Sequence, residues 1–193
     1  MSAVTYLLQA TYVIWTFLLA AVPTGLVLTS LWSGVDIRRA GSGNIGATNV
    51  YRLAGRTLGA TTLVLDILKG FVPVLVAHWV MDGPIGLSLV VAASVLGHCY
   101  TPYLAFRGGK GVATGLGAFL AATPLAALIA AGAWVAVVTY TRRSSLGALV
   151  AMVVLLLVMW ALPAARPLLP VGGFVVLVLL WRHRENIVRL VRK

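Results

Sequence analysis

The sequence predicts an all-α integral membrane protein: seven transmembrane helices, N-terminus outside, C-terminus inside, and Gly-rich loops on the cytoplasmic face. Three observations carry that expectation. Apolar residues make up 61% of the chain and charged ones 10%, outside the range of an ordinary soluble domain. Long uncharged stretches alternate with short clusters of Lys and Arg, as topology signals do. Two glycine-rich polar strings, GSGNIGATNVYR (41–52) and GHCYTPYLAFRGGKGVATGLG (97–117), interrupt otherwise lipid-soluble sequence. A bilayer tolerates such backbone only where it lines a site or meets solvent.

The uncharged stretch 1–35 supplies the first crossing, and no cleavable leader is expected because no basic segment opens it. A second crossing is expected over 58–81, where Asp66 and Lys69 stand on one helical face and can pair. Stretch 83–106 is the third. Stretch 111–141 is long for one span, and Thr123-Pro124 reads as a turn that makes it a hairpin of two. Stretches 144–165 and 167–181 complete the seven. Charge decides the hairpin. With it, Arg38, Arg39, Arg52, Arg56, Arg107, Lys110, Arg142, Arg143, Arg182, Arg184, Arg189, Arg192 and Lys193 share one side, leaving Arg166 outside and Lys69 within the membrane. A single span would split the cations evenly, against the positive-inside rule. The outer turns, Asp82-Gly83-Pro84, Thr123-Pro124 and Pro163 to Pro167, are too short to house a site. Lacking repeats and low-complexity linkers, the chain reads as one domain over 1–193.

Fifteen Lys and Arg against four Asp and Glu give a net charge of +11, which in a soluble chain would suggest a nucleic-acid partner. Here the cations fall between apolar runs, which points to anionic lipid or phosphate instead, and no nucleic acid is expected. The lone Cys99 permits no internal disulfide. Four acidic residues, one of them in a polar string, cannot build a two-metal carboxylate site, and no His pair has zinc spacing, so no metal or cofactor is expected. A Gly-x-Ser-x-Gly elbow is absent too.

Three strings carry the candidate chemistry. In the first, Gly41, Gly43 and Gly46 alternate with Ser42, Asn44, Thr48 and Asn49, and Arg52 follows. Small residues let amides approach an oxyanion, and an Arg fork matches phosphate; the same composition also suits a solvated loop with helix caps. In the second, Arg107-Gly108-Gly109-Lys110-Gly111 precedes an apolar helix, aiming its N-terminus and Lys110 at one point. The spacing is not that of a Walker A loop, and a Gly-rich membrane re-entry is the plainer alternative. The third, Arg182-His183-Arg184-Glu185-Asn186 with Arg189, sets His183 and Asn186 on one helical face; it also suits a basic stop-transfer flank. His98 fits a structural hydrogen bond at a helix end, and Ser145 fits a helix cap. His78 and Asp82 lie on the outer side and are discounted as catalytic.

Together GSGNIGATNVYR, GH-x7-FRGGKGVAT and RHRENIVRL resemble, in order and spacing, three signatures of the bacterial integral-membrane acyl-phosphate:glycerol-3-phosphate acyltransferases, the PlsY type. The resemblance spans the chain. It implies transfer of a fatty acyl group from acyl phosphate to the sn-1 hydroxyl of glycerol 3-phosphate at the cytoplasmic face of a bacterial inner membrane, giving lysophosphatidate and inorganic phosphate. By the same resemblance, Ser42, Lys110, His183 and Asn186 belong to the reacting centre. Gly43, Asn44, Thr48, Asn49, Arg52, His98 and Ser145 would bind substrate, and the amides of Gly108, Gly109 and Gly111 would hold acyl phosphate. A monomer surrounded by lipid is expected. The chief rival from the residues themselves is a transporter for a phosphorylated metabolite, which would need polar groups along a midplane path, where only Asp66 and Lys69 are charged. A lipid-binding structural subunit would not need the small-residue and Asn clusters.

Overall fold

The computed structural model describes residues 2–192, and every one of its regular elements is helical. Lys193, counted above among the inside cations, lies outside the described residues. In chain order the helices are α1 (Ala3–Ala20), α2 (Thr24–Trp32), α3 (Ala47–Val80), α4 (Gly83–Cys99), α5 (Val112–Ala122), α6 (Pro124–Thr141), α7 (Ser144–Ala161), α8 (Leu169–Arg182) and α9 (Arg184–Val191). Short 3-10 turns at Pro102–Leu104 and Pro163–Leu168 join their neighbours.

Local chemistry sets several boundaries. Ser2 caps α1 by accepting the Thr5 N–H, and Pro84 and Pro124 occupy the first turns of α4 and α6, where a missing N–H costs nothing. Asp36 accepts from Arg38 at 2.8–3.0 Å, which holds its carboxyl down at about 2 and ties the start of the loop between α2 and α3. Gly55 breaks α3 with φ +89°, a conformation that side chains resist, and separates a first segment carrying Thr48, Asn49 and Arg52 from the long membrane-crossing part.

Among the described residues, six helical stretches are long and apolar enough to cross a membrane: Ala3–Trp32, Ala47–Val80, Gly83–Leu104, Pro124–Thr141, Ser144–Ala161 and Pro163–Arg182. The turn at Thr123-Pro124 is present, but the first limb of that hairpin, α5, has only eleven residues. That is about 16 Å of helix, against about 30 Å of hydrocarbon. The reason lies in the preceding glycine loop. It folds back onto the last turn of α4, the Gly108 and Gly109 N–H groups donating to Cys99 O (3.2 Å) and His98 O (3.0 Å). Helix α5 therefore starts recessed inside the bundle. It then lies along α3, and His78 Nε2 meets Ala121 O at 3.0 Å near the far end of both helices.

The core centres on α4 and α5. Val90, Val91, Val95, Ala118 and Phe119 are buried with Val74 and Ala77 of α3, and α6, α7 and α8 extend the same apolar cluster. A second, small cluster of Ile37, Ile45 and Val50 anchors the loop before α3.

Candidate active site

The loop before α3 is organised by Asn49. Its Oδ1 accepts the Ser42 N–H (2.9 Å), and its Nδ2 donates to Ile37 O (3.0 Å) and Ala40 O (3.2 Å). Both amide hydrogens are thus engaged, and the side chain is 2% exposed. Asn44 Oδ1 accepts the Gly46 N–H at 2.9 Å, shaping the entry to α3. Thr48 and Arg52 then lie one turn apart on the same exposed helical segment.

The third string closes over the second. Arg182 donates from Nε to Gly109 O (3.0 Å) and from Nη2 to Gly108 O (2.5 Å), with its guanidinium 5.5 Å from the centre of the Tyr100 ring. Lys110 Nζ donates to Asn186 Oδ1 of α9, joining loop and C-terminal helix directly. His183 Nδ1 lies 2.8 Å from Leu179 O. A carbonyl can only accept, so Nδ1 carries the proton. Burial holds the His183 imidazole below the usual histidine range, so the ring is neutral and Nε2 is left as an acceptor. Burial, with Arg189 nearby, likewise lowers the Lys110 ammonium.

These segments enclose one cavity of about 780 Å³. Ser42, Asn44, Thr48, Asn49, Arg52, His98, Lys110, Gly111, Ser145, His183 and Asn186 all line it. One end is strongly cationic, with Arg52, Lys110, Arg142, Arg143 and Arg189 against Asp66. The other is apolar, walled by Phe119 of α5, Ala130 and Trp134 of α6, Met152 and Leu155 of α7, and Val175 and Leu179 of α8. Such a chamber suits a ligand with anionic groups at one end and a hydrocarbon tail at the other.

Three expected site residues fall outside it. Gly43 lies in a turn closed by its own N–H to Ala40 O (3.1 Å). Gly108 and Gly109 are buried beneath the loop with their N–H groups already donating to α4 and their carbonyls accepting from Arg182, so they shape the loop rather than present amides to a ligand. Asn49 lines the wall, but its hydrogen bonds all go to the loop it organises. Conversely, Arg142, Arg143 and Ser144, read from sequence only as topology signals or flanks, line the mouth, and Arg182 emerges as the clamp on the second loop. Their clustering beside Ser145 and His183 was the available signal. Among the described residues, no three His, Cys, Asp or Glu side chains group as metal ligands.

The fold recurs in solved structures. PlsY (YgiH), an integral membrane glycerol 3-phosphate acyltransferase, matches in its glycerol 3-phosphate form with a TM-score of 0.90 and 38% identity over 95% of this chain and 92% of that one. Its lysophosphatidic acid form matches with a TM-score of 0.88 and 37% identity, at the same coverage. Among curated relatives, the glycerol-3-phosphate acyltransferases of Geobacter sulfurreducens and Syntrophotalea carbinolica are 49% and 47% identical, each across 90% of this chain and 89% of the relative. The family model for glycerol-3-phosphate acyltransferase covers residues 10–193, all three polar strings included. With its fold shared and the family model spanning nearly its whole length, this multi-span membrane protein belongs to the glycerol-3-phosphate acyltransferase family.

Proposed function

We propose that the chain, acting as a single transmembrane domain, transfers a fatty acyl group from acyl phosphate to the sn-1 hydroxyl of glycerol 3-phosphate. The products are lysophosphatidate and inorganic phosphate, and the reaction takes place at the cytoplasmic face of a bacterial inner membrane. The observation that carries this reading is the two-ended cavity: cationic where the three strings meet, apolar between α5, α6, α7 and α8. Two phosphates, each bearing about one and a half to two negative charges, are accommodated at the first end. The acyl tail is accommodated at the second. The glycerol 3-phosphate and lysophosphatidic acid forms of the PlsY relative are consistent with such a substrate and product.

In this reading Ser42, Asn44, Thr48 and Arg52 hold the phosphate of glycerol 3-phosphate. Lys110 and the Gly111 backbone at the recessed start of α5 hold acyl phosphate, with Asn186 orienting the Lys110 ammonium. His183, neutral and with Nε2 as acceptor, orients the attacking hydroxyl, and Ser145 faces the chamber from α7. The glycerol oxygen attacks the acyl carbonyl carbon, the bond from that carbon to the phosphate oxygen breaks, and inorganic phosphate departs. Acyl phosphate is a mixed anhydride with a good leaving group, so the hydroxyl proton passes to the substrate's own phosphate. The protein supplies position and charge stabilisation.

The test is release of inorganic phosphate by purified protein in lipid, given acyl phosphate and glycerol 3-phosphate, beside Lys110→Ala. Release that needs both substrates and is lost in the variant is expected. Silence from well-folded protein would overturn the reading and favour a carrier built on the same loops.

A further inference from the structure

Asp66 and Lys69 are 2% and 7% exposed in the membrane-crossing part of α3, a costly place for two charges. Asp66 Oδ1 accepts from Thr24 Oγ1 of α2 at 2.5 Å and from Lys69 Nζ at 2.9 Å, while Lys69 also donates to Val22 O between α1 and α2 (2.8 Å). Facing the same oxygen at 3.7 Å is Nδ1 of His98 on α4, a sealed nitrogen with no hydrogen-bond partner among the described residues. The other edge of the ring presses on the glycine loop. A Cβ added at Gly109 would stand 2.1 Å from His98 Nε2, and the Gly109 N–H donates to His98 O. The imidazole is therefore a wedge between the Asp66 carboxylate and the backbone that carries Lys110.

We infer that Asp66, balanced by Lys69, is a positioning residue: it fixes His98, and through His98 the height of the Gly108-Gly109 backbone from which Lys110 reaches Asn186. Stability alone is a poor reason to bury the pair, because apolar residues of similar volume commonly replace a buried ion pair without loss. The carboxylate does stand against that edge of the ring, 3.7 Å from Nδ1, and this placement has a geometric consequence. Without it the wedge relaxes, the two loop hydrogen bonds to α4 loosen, and the Lys110 ammonium is misplaced. The inference rests on the acyl transfer proposed above.

The experiment compares wild type, Asp66→Asn and the double variant Asp66→Leu/Lys69→Met in lipid. Thermal stability, steady-state kinetics and amide hydrogen exchange at Gly108 and Gly109 are measured on the same samples. Asp66→Asn strands the lysine and loses stability. The double variant recovers the melting temperature, yet is expected to keep kcat down by about 10²-fold, the scale of a misplacement near 1 Å, with KM changed far less. Exchange at the two glycine amides rises by about tenfold, as their closing contacts weaken. Recovery of wild-type kcat with the melting temperature, or wild-type exchange in the double variant, would overturn the inference. Should that variant not fold, Asp66→Asn/Lys69→Gln, polar but uncharged, takes its place with the same readings. A wild type without turnover would defeat the reaction itself, and the exchange reading would still decide whether Asp66 holds the loop.

Discussion

Lys110 is pulled two ways: burial and the neighbouring Arg189 and Arg182 favour its neutral form, whereas Glu185 and the Asn186 carbonyl oxygen favour the ammonium. The first set wins, so its pKa lies below the ordinary lysine value of 10.5. The sign for folding follows: the folded chain resists protonation, so the penalty is present below the folded pKa and is relieved as pH rises through it to the free-lysine range. For binding the sign is opposite, because an incoming phosphate needs the charged form. We therefore expect kcat/KM for acyl phosphate to fall on an alkaline limb that begins below 10.5. Lys110→Arg, which stays charged across that range, should lose the limb at the cost of geometry. Lys110→Met should lose about 10²–10³-fold at neutral pH, the usual scale for removing a charge-stabilising donor. A pH profile of the three proteins checks this, and an unchanged limb in Lys110→Arg would assign it elsewhere.

Helix α5 shows how an element of eleven residues can set a site. It seats Gly117 against α3: a Cβ there would lie 2.0 Å from Ile67 O, so the two backbones are in direct contact. Gly117→Ala forces them apart. Overpacking of this kind costs about 1–3 kcal/mol, and because Lys110 and Gly111 lead directly into the same rigid helix, turnover should fall along with the melting temperature. An unchanged melt with full activity would show that α3 and α5 slide freely. The turn ahead of α6 was legible in the sequence, since Thr123-Pro124 is a local signal. So was the pairing of Asp66 with Lys69, three residues apart. The fate of the Gly108 and Gly109 amides was not legible, because their acceptors belong to the last turn of α4 and the clamp on their carbonyls, Arg182, lies 73 and 74 residues away. Asn49 was ambiguous for a related reason: an amide that can greet a phosphate can equally tie a loop, and only the positions of Ile37 and Ala40 decide. The apolar half of the chamber was hidden as well, since Ala130, Met152 and Val175 look like any lipid-facing or core residue until α6, α7 and α8 are assembled.

At the scale of the whole molecule the open quantity is parity. Six crossings would put both termini on one side of the membrane; a seventh puts them on opposite sides. The candidates for six are set by length, and the seventh depends on α5 with its recessed glycine loop. Charge argues for seven: only then do Arg39, Lys110, Arg143 and Arg182 share the inner side, where the positive-inside rule places them and where the proposed reaction would draw its phosphorylated substrates. Packing agrees, since α5 runs beside α3 until Ala121 meets His78 two residues before α3 ends at Val80. Single cysteines at Ser2, Arg39 and Arg192 test it, with the buried Cys99 left in place as a silent thiol. In intact cells a membrane-impermeant maleimide should label Ser2→Cys alone, and permeabilisation should expose Arg39→Cys and Arg192→Cys. Labelling of Ser2→Cys and Arg192→Cys together would mean an even number of crossings and would make the α5 hairpin a re-entrant loop. Labelling of Arg39→Cys from outside would turn the cationic mouth away from the cytoplasm and remove the supply of substrate on which the proposed reaction depends.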